Sequence, residues 1–319
     1  MKRILFLSLF FVLNISIHAQ KDLLNASKRT KDIPASLMDE TANDTVYWAF
    51  PGVTGLNFAQ TAFVNWAEGG QNSIAGNVFL QLNANYKRKK ILWNNNLSAE
   101  YGMFYSEANT HFNWRKNSDK LGLTSNFGYH AAKNWYYAAL VDFKTQFNTG
   151  YDYPNDSTRT YVSSFLVPGY LIASIGMNYI PNKYVSVYLS PTTARFIFVR
   201  DTVLSVKYGL DEGKKVKSEF GTYATVLNNF DIMKNMNLNS KLELFSAYET
   251  FGNFVVNWEL LLTMKVNKYI NASVRTQVKY DDAVKSTKNV VVNGVSKTVD
   301  GGPKVQFMDV IAVGFSYNF

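Results

Sequence analysis

Apolar and polar residues alternate along most of the chain from about Val53 onward, and the last stretch, KVQFMDVIAVGFSYNF (304–319), shows this most plainly. One parity there holds Ile311, Val313, Phe315, Tyr317 and Phe319, and the other holds Ala312, Gly314, Ser316 and Asn318. Because strand side chains point alternately to opposite faces, one face is broad and apolar and the other is small and polar. That contrast is typical of a transmembrane β-barrel, although a half-buried strand of a soluble sandwich also alternates.

The same alternation recurs in segments 77–86, 135–146, 254–265 and 270–279, and where these segments contain charge, it falls on only one parity. Segments 54–65, 184–199 and 219–233 alternate less cleanly. A lipid-facing Lys or Arg at mid-bilayer costs roughly 2–4 kcal/mol, so we expect the charged parity to face the lumen. The lumen-lining candidates are Glu100, Asp142, Lys144, Lys241, Glu243, Glu259, Lys265, Arg275 and Lys279. Since buried ion pairs are costly unless they are well satisfied, these residues either pair tightly or line a water-filled channel.

The connections between the alternating segments are short and long in turn. The short ones contain Lys and fall at 87–90, 133–134, 181–183, 234–235 and 267–268; the long, polar ones fall near 67–72, 106–118, 149–163, 201–217, 249–253 and 281–303. This predicts an all-β fold, a transmembrane antiparallel up-and-down β-barrel of about twelve strands. An even strand number places both termini on one side, with short turns in the periplasm and long loops outside.

The beginning of the chain predicts export. Lys2 and Arg3 precede an apolar run from Ile4 to Ile17, and Ala19 is a small residue suited to cleavage. We therefore predict a signal peptide at 1–19, a flexible periplasmic leader at 20–52 and the outer-membrane barrel at 53–319.

Composition narrows the class further. Aromatic residues make up 15% of the chain, as expected for girdles at both membrane interfaces, and cysteine is absent, which excludes disulfides and thiolate sites. The formal charge of +9 comes with lysines clustered at turns, which indicates outer-membrane lipid headgroups rather than nucleic acid as partners.

Three loop or rim motifs are candidate sites. The run NWAEGGQN supplies Trp66, Gly69, Gly70 and Asn72; the second and third motifs are Tyr151, Asp152, Tyr153 and Pro154, and the pair Asp281 and Asp282. For the first we favour a tight turn beside an interfacial tryptophan. The second is either a sugar or cation cradle or a rim turn set by proline, and we favour the turn. A lone pair of aspartates is a weak Ca²⁺ signal, so we predict no metal site.

Catalytic residues are not evident. A lipid-hydrolysing barrel needs a serine beside a histidine that a third group orients, and neither His111 nor His130 has a serine at a suitable spacing on one strand face. We expect no enzyme and no cofactor.

Several motifs resemble the Bacteroidota outer-membrane β-barrel family grouped as domain of unknown function 3078. They are NWAEGGQN, WYYAALVDFKTQFNTGYDYP, YIPNKYVSVYLSP, NWELLLTMKVNKY and QVKYDD, in that order between Val53 and Phe319. The resemblance implies a secreted barrel in the outer membrane of a Gram-negative bacterium and no established activity. The ending also resembles the terminal strand read by the outer-membrane assembly machinery, which makes Phe315, Tyr317 and Phe319 assembly candidates.

Three functional hypotheses follow. The first is a non-enzymatic channel or binding barrel for small polar solutes. The second is a structural or accessory barrel with a sealed lumen that docks an envelope assembly, and the third is a lipid-modifying enzyme. Bilayer conductance distinguishes the first two.

Overall fold

The computed structural model describes residues 47–62, 72–107, 109, 111–282, 285–292 and 295–319, and nearly all of its regular structure is β-strand. The strands are β1 (Trp48–Ala49), β2 (Gly52–Thr61), β3 (Ser73–Arg88), β4 (Ile91–Ser106), β5 (Trp114–Ala132), β6 (Trp135–Thr145), β7 (Gly150–Asp152), β8 (Thr160–Ser163), β9 (Gly169–Asn182), β10 (Val185–Phe198), β11 (Val216–Met233), β12 (Met236–Ala247), β13 (Val255–Lys265), β14 (Ile270–Tyr280), β15 (Lys285–Val292), β16 (Val295–Pro303) and β17 (Gln306–Asn318). Two 3₁₀ turns, Thr202–Leu204 and Val206–Tyr208, lie between β10 and β11. Across the described ranges, no helix is long and apolar enough to cross a bilayer.

Twelve of these strands close into one antiparallel barrel. Its order is β2, β3, β4, β5, β6, β9, β10, β11, β12, β13, β14 and β17, and β17 pairs back onto β2. At this seam the N–H of Gly52 donates to the carbonyl of Phe319 at 2.8 Å, and the N–H of Phe319 donates to the carbonyl of Gly52 at 3.0 Å. Closure leaves no open sheet edge, which is what a β-structure needs to span lipid. The predicted fold is confirmed.

The connections alternate in length as predicted. Residues 89–90, 133–134, 183–184, 234–235 and 266–269 join strands at one end, and the long connections join them at the other. Two long connections contain hairpins of their own, β7–β8 and β15–β16. Sheet pairing begins earlier than the expected boundary at Val53, because Trp48 pairs with Tyr86 along the edge of β3 before Pro51 interrupts the ladder.

Large apolar side chains cover the outside of the barrel and polar ones fill much of the inside. On the outside, Ile311 is 73% exposed and Ile175 is 69% exposed, whereas the interior residues Glu243 and Thr193 are 6% and 1% exposed. An apolar exterior on a closed antiparallel barrel with an even strand number is the architecture of outer-membrane proteins. The protein is therefore located in the outer membrane of a Gram-negative bacterium.

One bulge changes which side of β10 faces inward. The pairing of β10 with both neighbours shifts between Leu189 and Thr193, around Pro191. The backbone there lies so close to Gly176 of β9 that a Cβ on this glycine would collide with the carbonyl of Leu189. Before the bulge Tyr188 points into the lumen, and after it Arg195, of the opposite parity, does so.

Candidate functional site

Charged side chains reach across the lumen at three places, and the first pair joins β14 to β4. Arg275 Nη1 lies 2.7 Å from Glu100 Oε2, and Arg275 Nε lies 3.3 Å from Glu259 Oε1. Strands β17, β2 and β3 separate β14 from β4 around the wall, so the Arg275–Glu100 contact spans the barrel. Ser118 and Asn77 also donate to Glu100, at 2.6 and 2.8 Å.

The second pair joins β6 to β12, which β9, β10 and β11 separate. Lys144 Nζ lies 2.9 Å from Glu243 Oε1 and 3.0 Å from Asp142 Oδ2. Glu243 also accepts from Lys241 at 2.9 Å and from the Tyr223 hydroxyl at 3.0 Å. The side-chain amide of Asn257 donates to it as well, so this carboxylate is the centre of a local network of donors from four strands.

The third pair joins β10 to the outer end of β14. Arg195 Nη2 lies 2.9 Å from Asp281 Oδ2, and its Nη1 lies 2.9 Å from Glu219 Oε2. The guanidinium also lies over the rings of Tyr170 and Phe245, at 5.7 and 5.4 Å from the centroids. We call Arg275–Glu100, Lys144–Glu243 and Arg195–Asp281 the cross-lumen pairs.

An apolar cluster occupies one side of the lumen, between β6 and β12. Leu140, Tyr188, Tyr223 and Phe245 are each at most 5% exposed. Together with the cross-lumen pairs, this cluster narrows the interior of the barrel.

The external loops between β8 and β11 pack into a second cluster above the barrel. Val167 and Val199 are fully buried there, against Leu204 and Leu210. Tyr208 donates its hydroxyl to the Val162 carbonyl at 2.7 Å. Burial, with smaller contributions from the neighbouring Tyr170 and Tyr161, raises the pKa of Tyr208 to about 12.

A cavity of about 300 Å³ remains within the lumen. Charged groups from the first two networks line one part of it, apolar side chains line its walls and amides line another part. The lining includes Phe79, Asn96, Glu100, Lys120, Asn126, Leu140, Thr225, Leu227, Asn239, Lys241, Glu259, Leu261 and Arg275. The volume is at the lower end of the range for small-molecule sites.

The structure joins seven of the nine predicted lumen residues in ion-pair networks. They are Glu100, Asp142, Lys144, Lys241, Glu243, Glu259 and Arg275. The other two belong to neither of these networks. Lys265 is the last residue of β13, at the short-turn side of the barrel, and Lys279 is exposed near the outer end of β14.

Sequence reasoning missed several lumen residues, among them Lys120, Arg195 and Tyr223. Lys120 pairs in register with Glu100, so extending the strict alternation of β5 would have found it. The bulge hides Arg195 because it reverses the parity of β10. Tyr223 lies in a segment whose alternation is weak.

The loop motifs take structural roles where the structure describes them. Arg159 lies over the ring of Tyr151 and Arg115 lies over the ring of Tyr153, each 4.2 Å from the ring centroid, so a guanidinium group of the same chain covers one face of each ring. Asp152 accepts from the Tyr153 N–H at 3.0 Å, just before Pro154.

Of the remaining rim candidates, Asp281 binds Arg195 and Asp282 accepts from Tyr280 at 2.9 Å. Asn72 donates to Glu107 at 2.8 Å. Trp66, Gly69 and Gly70 lie outside the described residues. The assembly candidates Phe315, Tyr317 and Phe319 face outward and are 50–60% exposed.

The family model described as "Protein of unknown function (DUF3078)" matches residues 58–151. The resemblance drawn from the motifs is thereby confirmed. No curated protein matches the chain.

Among solved structures, the chain is similar to the COG4313 outer membrane channel from Pseudomonas putida F1, at 12% identity and a TM-score of 0.38 over 88% of this chain and 98% of that one. It is also similar to the NanC porin, at 9% identity and a TM-score of 0.39 over 83% and 98% of the two chains. A third similar structure is the translocator domain of the autotransporter NalP from Neisseria meningitidis, at 12% identity and a TM-score of 0.39 over 96% and 100%. Similarities of this size carry no inference about activity.

Proposed function

We propose that this barrel is a non-enzymatic channel or binding barrel for small polar solutes, and that the cross-lumen pairs hold it in a closed state. The observation that carries the proposal is the cavity of about 300 Å³ beside the Arg275–Glu100 pair. A barrel whose only task is to present loops has no need for a lumen cavity that charged and amide side chains line.

The partial hydration of two of the cross-lumen cations supports a closed state that can open. Arg275 keeps 27% of its side-chain exposure and Lys144 keeps 41%, so water reaches both cations. Lys120 also lines the cavity and has no carboxylate within ion-pair distance among the described residues. Partly hydrated charges exchange one partner for another at lower cost than dry ones.

We also propose that the barrel catalyses no reaction. His130 contacts the Lys133 carbonyl at 3.0 Å near a short turn, and His111 lies 3.6 Å from the Asp156 carboxylate in an external loop. Neither contact supplies the serine that an acyl-transfer site needs.

An accessory barrel with a sealed lumen is the second candidate. The apolar cluster of Tyr188, Tyr223 and Phe245 favours it, because these rings are nearly fully buried and fill space that a wide channel would leave open.

Planar-bilayer recording of the purified barrel decides between the two. Replacing both partners of one cross-lumen pair, Glu100→Gln with Arg275→Gln, should raise single-channel conductance above that of the wild type. Lys279→Gln is the matched control, because it removes a lumen-parity cation that takes part in none of the ion pairs seen among described residues. If the double variant folds and passes no current, the channel proposal fails and the accessory role is favoured.

A further inference from the structure

A groove of about 340 Å³ lies on the barrel wall where β10, β11 and β12 run side by side. Its outward-facing lining consists of Leu189, Pro191, Thr222, Ala224, Leu244 and Phe254. We call this feature the wall groove. Leu189 and Phe254 are 45% and 47% exposed on the outside of the barrel, whereas the neighbouring residues Tyr188 and Tyr223 point into the lumen and are buried.

The shape of the wall groove follows from strand register. Leu189, Ala224 and Leu244 pair in one row across the three strands. Because the central residue of this row is an alanine between two leucines, it leaves a depression on the outward face. Thr222, the next outward residue of β11, extends the depression, since Pro191 at the bulge has no register partner on β11.

Two hydrogen bonds fix the surroundings of the wall groove. The Tyr248 hydroxyl donates to the Pro191 carbonyl, and because β11 lies between β10 and β12, this contact spans β11 and joins the two sides of the groove. The N–H of Gly252 donates to the Ser246 hydroxyl at 3.2 Å, which holds the loop that leads into Phe254. The groove is therefore bordered by a tied structure on three strands and one loop.

The chemistry of the wall groove selects an apolar ligand. No charged residue lines it, and the lining hydroxyl groups of Ser190, Tyr223 and Ser246 all hydrogen-bond within the chain. Water needs two to four polar partners in a cavity, and a phosphate or carboxylate would meet no cation here. What the groove offers a ligand is mainly hydrocarbon surface.

The position of the wall groove indicates which apolar ligand it meets. The groove is continuous with the apolar outside of a barrel that lies in the outer membrane, where lipid chains are the surrounding medium. An empty groove would lose the dispersion contacts that its side chains can make. We infer that the wall groove binds an acyl chain of an outer-membrane lipid. This inference goes beyond the proposed function and does not depend on whether the lumen conducts.

The first test uses 1-palmitoyl-2-oleoyl-phosphatidylethanolamine as the probe, added to the purified full-length barrel in mild detergent. Native mass spectrometry counts the lipid that each barrel retains. Ala224→Phe fills the groove from its floor and should weaken retention of the tightest lipid at least tenfold. The control Ala139→Phe adds the same ring to an exposed outward position of β6 and should leave retention unchanged.

A second pair of variants tests the groove from its rim. Phe254→Ala removes one wall and should also weaken retention, whereas Phe251→Ala, in the same loop and 70% exposed, should not. A heat-dependent gel shift confirms that each variant folds. If Ala224→Phe does not fold, the comparison of Phe254→Ala with Phe251→Ala decides.

Three results would overturn the inference. The first is a wild-type barrel that retains no lipid, and the second is equal retention by the groove variants and their controls. The third concerns the probe itself. Glycerophosphoethanolamine has the head group without chains, and oleate has a chain with a free carboxylate. Binding of the head group alone as tight as that of the lipid, or tighter binding of oleate, would assign the groove to a different ligand.

Discussion

Single residues are sorted by parity into lipid-facing and lumen-facing sets, and β17 contains an exception on the lipid side. Asp309 is exposed on the outward parity of β17, where the Thr276 hydroxyl donates to it at 2.7 Å. Leu260 pairs in register with Thr276, so a cation placed at Leu260 would meet this carboxylate. Leu260 is therefore a poor position at which to test whether the outside of the barrel contacts lipid. Val313 is suitable because it is 56% exposed and pairs with Ala272 and Phe58.

At Val313 we expect Val313→Arg to destabilise folding into bilayers by about 2–4 kcal/mol, because the guanidinium would enter the lipid core. The control Val203→Arg makes the same substitution in an external loop, at a residue that is 84% exposed, and should change stability by less than about 0.5 kcal/mol. Urea titrations of the two variants in vesicles measure the difference. Equal penalties would show that the exterior of β17 does not contact lipid.

The stability of the external loops should depend on pH through the phenol group of Tyr208. Its pKa is raised from 10.0 to about 12, so the folded loops hold the phenol proton more tightly than the unfolded chain does. The corresponding stability is fully present below pH 10 and is lost as pH rises towards about 12. In a ¹³Cζ-tyrosine NMR titration, the signal that disappears in Tyr208→Phe should have a midpoint near 12. A midpoint near 10 for that signal would contradict the burial.

Strands meet across the lumen as well as along the wall. The wall is held by backbone ladders that any alternating sequence supplies, whereas each cross-lumen pair joins strands that lie four places apart in the barrel. These contacts therefore constrain the shape of the barrel interior.

Arg275→Gln should destabilise the barrel by about 3 kcal/mol, because it leaves the carboxylates of Glu100 and Glu259 without the guanidinium group that contacts both of them. That value is at the low end for a broken buried pair because Arg275 is 27% exposed. The double variant Glu100→Gln with Arg275→Gln should lose less than the sum of the single variants, which a double-mutant cycle measures. Additive losses would mean that the two side chains do not interact.

The whole molecule depends on the seam between β17 and β2. Each end of the barrel sequence binds the other through the paired backbone groups of Gly52 and Phe319. The ring of Phe319 faces outward beside Tyr317, with the ring centroids 6.2 Å apart.

Deleting Phe319 should lower the amount of heat-modifiable barrel in the outer membrane, because it removes both closing hydrogen bonds and the terminal ring. Phe319→Ala retains the backbone bonds, so comparing the two variants separates closure from recognition of the aromatic ring by the assembly machinery. Phe307→Ala is the control, an outward aromatic of the same strand that is 69% exposed. Wild-type levels after deletion would remove both roles.

The fold and most of the charged site were predictable. Period-2 alternation shows which side of a strand is apolar, and alternating loop lengths show how strands connect, so the twelve-strand barrel and seven lumen charges followed from local pattern. The inward position of Arg195 did not follow, because the bulge at Pro191 arises from the close approach of β9 and β10 at Gly176. The start of pairing at Trp48 was missed because so short a strand has no measurable period.

By itself, the sequence determined the class of fold, the topology and the facing of most strands, because each of these depends on residues close together in the chain. Only the tertiary structure decided which charges meet, since Arg275 and Glu100 are 175 residues apart and come together through closure at β2 and β17. It also decided that the lumen contains a cavity lined by charged, amide and apolar side chains from many strands. Whether a polar side chain finds a partner depends on the strands opposite it, and the alternation along its own strand contains no information about them.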